Sequence, residues 1–264
     1  MHYGQLRDEA RDAAVAVADL LRTAPDGDQH VPGLEWTIAD VGGHLVTVAR
    51  RSMDVARGEP FSWDPGDDTH ASMAAFNDSE LVELGERDPV KLAGLLEDDG
   101  DALLEAYGRD GERIVRWPTD ERRVQDSVGL WLGELLIHGL DIARALGRAW
   151  PIRREQAAAV IDGLVPVLPA FANREEARAA VGTYHVHVRG GGDYTIRASP
   201  DGTVTAERGE PGRADLHISA NPVAYLLVGY GRVSHWTAIA KGQIAARGRK
   251  PWLALKFADL FHRP

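Results

Sequence analysis

A chain of 264 residues, 44% hydrophobic and 27% charged, has the composition of a folded globular protein and enough apolar side chains for one large or two medium cores. Its formal net charge of −10 argues against nucleic acid as a partner, and its lack of cysteine removes disulfides, thiolate metal sites and any cysteine nucleophile. No uncharged apolar run reaches the roughly 18 residues a membrane span needs, and the first residues carry no apolar signal core, so a cytoplasmic protein is expected.

Residues 4–23 place Leu6, Ala10, Ala13, Val17, Leu20 and Leu21 at helical spacing, and the Ala24-Pro25-Asp26-Gly27-Asp28 segment ends that helix. A second helix opens with Thr37 as N-cap and Asp40 three residues on, an acidic capping box, and runs to about Arg57 before Gly58. His44 lies two turns inside it, beside Gly42 and Gly43. Each mid-helix glycine costs about 1 kcal/mol relative to alanine, which suggests close packing or ligand clearance there. Residues 61–69, with Pro60, Pro65 and Gly66 nearby, read as loop. Helical patterning returns over 70–84 and, after Asp88-Pro89, over 90–107. The fourth main helix spans about 125–146 and closes at Gly147, with Arg144 and Arg148 near its negative end.

Beyond about residue 150 the pattern changes. A helix over about 153–168 precedes Ala-rich residues and then alternating β-branched segments at 184–188, 194–197, 203–206 and 214–218. Gly190-Gly191-Gly192-Asp193 and Pro200-Asp201-Gly202 supply hairpin turns, so an antiparallel sheet is predicted. Short helices follow at 222–228, 234–241 and 252–261. The division is an all-α four-helix bundle over 1–150 and an α+β domain over 151–264.

Glu134 and His138 stand one turn apart in the apolar stretch 131–141, which puts their Cβ atoms roughly 6 Å apart on one helical face. If the first half is an up-and-down bundle, His44 from the second helix completes a set of two imidazoles and one carboxylate. Three protein ligands leave a divalent ion an open position, the arrangement of a catalytic centre. Zinc suits this donor set best, with nickel, iron and manganese left open. The same residues also read as a hydrogen-bonded core histidine with Glu134 as partner and no metal. Asp141 reads either as the acceptor that orients an imidazole or as a surface carboxylate paired with Arg144. Asp40 is accounted for by its cap. His185 and His187 share one strand face but lack a third ligand nearby and read as solvent-side residues. His217, His235 and His262 carry no spacing signal. There is no nucleophile elbow and no P-loop.

The run from Trp36-Thr37 through Asp40 to His44-Leu45, followed by Glu134-Leu135-Leu136-Ile137-His138-Gly139-Leu140-Asp141, resembles the N-terminal module of the mycothiol-dependent maleylpyruvate isomerase family, a DinB-like four-helix bundle. The family's three metal-ligand positions fall on His44, Glu134 and His138. The second half, with its hairpin strands and the 231–257 segment, is similar to the family's C-terminal domain, which is sterol-carrier-like (SCP2-like). The resemblance implies a divalent metal, zinc above all, and mycothiol as a thiol cosubstrate. It also implies cis/trans isomerisation of a maleyl group, or a related thiol S-transfer, on a small-molecule substrate. Arg232 is then a candidate catalytic residue that holds a substrate carboxylate in a bidentate contact; a surface arginine is the alternative. Many members share the ligand set, so neither substrate nor oligomeric state follows. Two other readings stay open, a non-enzymatic small-molecule-binding protein and a metal-dependent hydrolase using the same triad.

Overall fold

The computed structural model describes residues 1–59, 61, 63–66 and 68–262. Pro60, Ser62 and Asp67 of the predicted loop therefore lie outside the described residues. The chain divides into two compact units, Met1–Ile152 and Arg153–Pro264.

The first unit holds α1 (Tyr3–Arg22), α2 (Ile38–Arg57), α3 (Thr69–Leu84), α4 (Pro89–Tyr107) and α5 (Val124–Ala145). On α1 the stripe Leu6, Ala10, Ala13, Val17, Leu20 and Leu21 is buried, as its period requires. On α2 the capping box is complete: Asp40 N donates to Thr37 Oγ1, and Thr37 N donates to Asp40 Oδ2 at 2.9 Å. Gly58 then stops the helix in the left-handed region at φ 76°. Asp88 accepts from the backbone N–H groups of Val90 and Lys91 at the head of α4, with Pro89 in the first turn.

The four-helix core is α1, α2, α4 and α5, but its neighbours do not follow chain order. Helices α1 and α2 each pack along α4 and α5 and meet one another only briefly, so they sit on a diagonal. The up-and-down arrangement of sequential neighbours is corrected accordingly; the long α1–α2 connection carries the chain across the bundle. Helix α3 leans on α2 and buries no residue fully. Gly42 and Gly43 are explained by packing. A Cβ on Gly42 would stand 3.0 Å from Leu21 Cδ2, and one on Gly43 would stand 3.0 Å from Leu81 Cδ2. A hairpin of β1 (Ile114–Arg116) and β2 (Glu121–Arg123), absent from the sequence reading, feeds directly into α5. Three-residue strands are too short to show a period.

The second unit begins with α6 (Arg154–Leu164), which stops short of the predicted 168 because Pro166 has no N–H with which to continue the helical ladder. A 3-10 turn at Leu168–Phe171 and α7 (Arg174–Ala179) follow. The sheet comprises β3 (Gly182–Val188), β4 (Asp193–Ala198), β5 (Val204–Arg208), β6 (Leu216–Ala220) and β7 (Ile244–Gly248), ordered β5-β4-β3-β6-β7. Three of its pairings are antiparallel, but β3 and β6 run parallel at its centre, which qualifies the predicted antiparallel sheet. Tyr184, Val186, Val188, Leu216 and Ile218 line its buried face, while His185, His187 and His217 face the other way. Helices α8 (Pro222–Gly229) and α9 (His235–Ala240) lead into β7, and two 3-10 turns, Pro251–Leu255 and Phe257–Asp259, replace the single helix predicted at 252–261.

Candidate metal centre

His44 projects from the second turn of α2 and is 4% exposed. Opposite it, α5 presents Glu134 and His138 from successive turns. The Nε2 atom of His44 lies 3.3 Å from Glu134 Oε2, and the Nε2 atom of His138 lies 3.4 Å from the same oxygen. One ligand atom from each of the three residues falls within a span of 4.8 Å. The two imidazoles meet edge to face at 5.0 Å between ring centres.

These separations test whether a metal fits. Hydrogen bonds from imidazole to carboxylate favour 2.7–2.9 Å, whereas a tetrahedral ion with bonds of about 2.1 Å spaces its ligands about 3.4 Å apart. The contacts at 3.3 and 3.4 Å match the second geometry. Two nitrogens and one oxygen are also the donor chemistry that zinc and its neighbours accept.

Electrostatics agree with a site short of positive charge at His44 and rich in it at His138. Burial, helped by the nearby charge of His138, pushes the His44 imidazole down to about 4 against the pull of Glu134. Burial works against the Glu134 carboxylate too, but contacts with His138 and His44 outweigh it and hold the group well below the usual carboxylate range. For His138 burial is overcome by Asp141 and Glu134, and the ring is lifted to about 8. Asp141 is 2% exposed, and its Oδ2 lies 3.3 Å from His138 Nδ1. That contact is at ion-pair distance but off the hydrogen-bonding angle, and Nδ1 of His44 likewise has no hydrogen-bond partner. Asp141 thus stands where it can orient His138, and the surface-carboxylate alternative is excluded by its burial.

Two neighbours were not assigned a role from sequence. The Trp36 ring, one residue before the α2 cap, lies 4.9 Å from the His44 ring and 6.2 Å from the His138 ring. Its place next to the capping box was the available signal. Arg51, two turns beyond His44 on the same helix, is 9% exposed, pairs with Glu80 and donates to Asn77 Oδ1 at 2.8 Å. Its positive charge adds to the pressure against protonating His44. Arg232 belongs to the second unit, where its guanidinium donates to the Tyr230 carbonyl at 2.7 Å. His185 and His187 do have a carboxylate beside them, Asp193, at 2.8 Å from each ring, which corrects the expectation that no third ligand lies nearby, while the His187 side chain is 49% exposed.

Fold and donor set together define a helical-bundle protein with a convergent His/Glu/His cluster, joined on one chain to an α+β unit. The family described as "Mycothiol maleylpyruvate isomerase N-terminal domain" matches residues 6–143, just over half of the chain, and the chain belongs to that family. Among solved structures, the crystal structure of the mycothiol-dependent maleylpyruvate isomerase is similar over 89% of this chain and 91% of its own, with a TM-score of 0.54 and 14% identity. A His-to-Ala variant of that isomerase matches over 93% of both chains, again with a TM-score of 0.54, at 13% identity. At these identities the likeness is one of fold. The ubiquinone synthesis protein UbiJ-SCP2 aligns with 42% of this chain and 92% of its own at 17% identity, with a TM-score of only 0.30. No curated protein matches the sequence. Among the described residues no helix is long and apolar enough to cross a membrane.

Proposed function

We propose that the protein is a metal- and thiol-dependent enzyme of the maleylpyruvate isomerase type. In this reading His44, Glu134 and His138 hold a divalent ion, zinc in preference to nickel, iron or manganese, and mycothiol is the thiol cosubstrate. The reaction is cis/trans isomerisation of a maleyl-type substrate or a related S-transfer. The observation that carries the reading is the convergence of three donors from two helices, spaced 3.3 and 3.4 Å about one carboxylate oxygen.

A divalent ion there would favour the thiolate form of an adjacent thiol, the nucleophilic form for conjugate addition. The protein's own contribution is positional. Burial keeps His44 neutral, with its lone pair available. Glu134 stays ionised and supplies negative charge. Asp141 stands beside the His138 ring, where it can orient it, and the ring's proton must leave before its nitrogen can act as a ligand. Trp36 packs its ring beside both imidazoles, 4.9 Å from that of His44 and 6.2 Å from that of His138. With no cysteine in the chain, the thiol comes from outside, which goes with a reducing cytoplasmic setting. Arg232 is retained as the group that holds a substrate carboxylate.

Three measurements test the proposal. Purified protein should contain one tightly held ion per chain that is lost in His44→Ala, and absence of a tightly held ion from the wild type would overturn the centre. Loaded protein should then isomerise maleylpyruvate only when mycothiol is added, followed by absorbance. Full loading without thiol-dependent turnover would remove the substrate and leave the donor set. In Arg232→Ala the KM should rise with the metal content unchanged; an unaltered KM would discard that residue.

A further inference from the structure

The sheet of the second unit carries another convergent donor set, on its polar face. His185 and His187 alternate along β3 and therefore point the same way. Strand β4 runs antiparallel to β3 and places Asp193 directly opposite His187. A single oxygen, Asp193 Oδ1, is hydrogen-bonded at 2.8 Å to both His185 Nε2 and His187 Nδ1, so an entering ion would replace the His185 hydrogen bond and spread those two donors apart. Glu210, on the connection between β5 and β6, brings a carboxylate oxygen within 4.8 Å of the donor atoms of both His185 and Asp193. Behind them, His217 on β6 sets its Nδ1 3.1 Å from His185 Nδ1.

We infer that His185, Asp193 and Glu210 form a second site for a divalent transition-metal ion, independent of the helical bundle, with His187 held against Asp193 at its edge. Two carboxylates this close repel one another unless a cation lies between them. The imidazole among these donors favours zinc, nickel, cobalt or copper over magnesium and calcium. His217 stands where it can accept or donate at Nδ1 of His185 and so hold that ring with Nε2 turned inward, as metal-bound imidazoles are commonly held. The site differs from the bundle centre in exposure: the side chains of His187 and Asp193 are 49% and 29% exposed, against 5% for His44. It is correspondingly expected to be the weaker of the two. An ion here would tie the β3–β4 hairpin to the β5–β6 connection and stiffen that end of the sheet.

The test is a calorimetric titration of the full chain with Zn²⁺, with metal-free protein as the starting point. Asp193→Asn and His185→Ala should each remove one equivalent, or weaken it at least about tenfold, while the bundle keeps whatever ion it holds. In Glu134→Gln the sheet equivalent should persist, and the ring resonances of His185 and His187 should shift on adding Zn²⁺ while those of His235 do not. These positions lie on the polar sheet face, so circular dichroism should show the variants folded. Unchanged stoichiometry and affinity in both sheet variants, or ring resonances of His185 and His187 that ignore Zn²⁺, would overturn the site. Neither result bears on the bundle centre, because the two sites are removed by different substitutions.

Discussion

Nε2 of His44 and Oε2 of Glu134 stand 3.3 Å apart although the residues are 90 positions apart in the chain. Only the packing of α2 against α5 brings them together. The contact is too long for a strong charge-assisted hydrogen bond and suits the edge of a coordination tetrahedron. His44→Ala, Glu134→Gln and His138→Ala should therefore each abolish stoichiometric ion in the bundle. Asp141→Asn, which leaves all three donors in place, should lower affinity by about 10- to 100-fold. Equal metal content and affinity across these variants, measured by elemental analysis and titration with a chelator, would contradict the assignment.

The metal-free protein should be most stable near pH 6.5. His44 has its folded value depressed to about 4, so its contribution is present above about 6.5 and is lost as the pH falls toward 4. His138 has its folded value raised to about 8, so its contribution is complete below about 6.5 and is lost as the pH rises through 8. The His44 arm corresponds to up to about 3 kcal/mol across the acid window. Melting temperatures in chelator from pH 4 to 9 should trace a maximum, and His44→Leu should flatten its acid side. An acid limb as steep in the variant as in the wild type would show that another group governs it.

Much of the bundle could be read from sequence because each signal was local. Thr37 with Asp40, Asp88 with Pro89, Gly58 and Gly147 mark helix ends by their own backbone chemistry, and the apolar stripe of α1 has the helical period. Glu134 and His138 were paired by spacing within one helix; adding His44 needed an assumption about which helices meet. What escaped is non-local. The diagonal placement of α1 and α2 depends on tertiary packing, and the parallel pairing of β3 with β6 depends on a crossover. Strand β7 has one partly buried residue followed by four exposed ones, so it shows no alternation. Asp193 was visible only as a turn residue after three glycines, because its meeting with His185 and His187 is set by hairpin register.

The α2 cap positions the centre and can be weakened without touching a ligand. Asp40 Oδ2 accepts from Thr37 N at 2.9 Å and from Thr37 Oγ1 at 2.6 Å, and Arg87 Nη1 donates to Asp40 Oδ1 at 2.7 Å. Burial alone would raise the Asp40 carboxyl, but these contacts with Thr37 and Arg87 lower it below its ordinary value. The stability it supplies is thus present above about pH 4 and is lost as the pH falls further. Asp40→Ala should cost about 1 kcal/mol in denaturant unfolding at neutral pH. Because the cap adjoins Trp36, metal affinity should also fall, but by less than in Asp141→Asn. A neutral effect on stability would mean that water replaces the cap fully.

Gly139 follows His138 in α5, and its substitution should be harmful for a steric reason alone. In an exposed helix, alanine in place of glycine gains about 1 kcal/mol. Here a Cβ would stand 2.2 Å from Cζ2 of the Trp150 indole, whose Nε1 donates to the Leu136 carbonyl at 2.9 Å. The ring is tethered on the helix that carries Glu134 and His138, so it cannot move aside without giving up that bond. Gly139→Ala should therefore destabilise by about 1–3 kcal/mol and shift tryptophan fluorescence to the red as the indole leaves its seat. Gly139→Ala combined with Trp150→Ala should recover the helix-propensity gain. If the single substitution stabilised the protein, the close approach of Trp150 to α5 would be refuted.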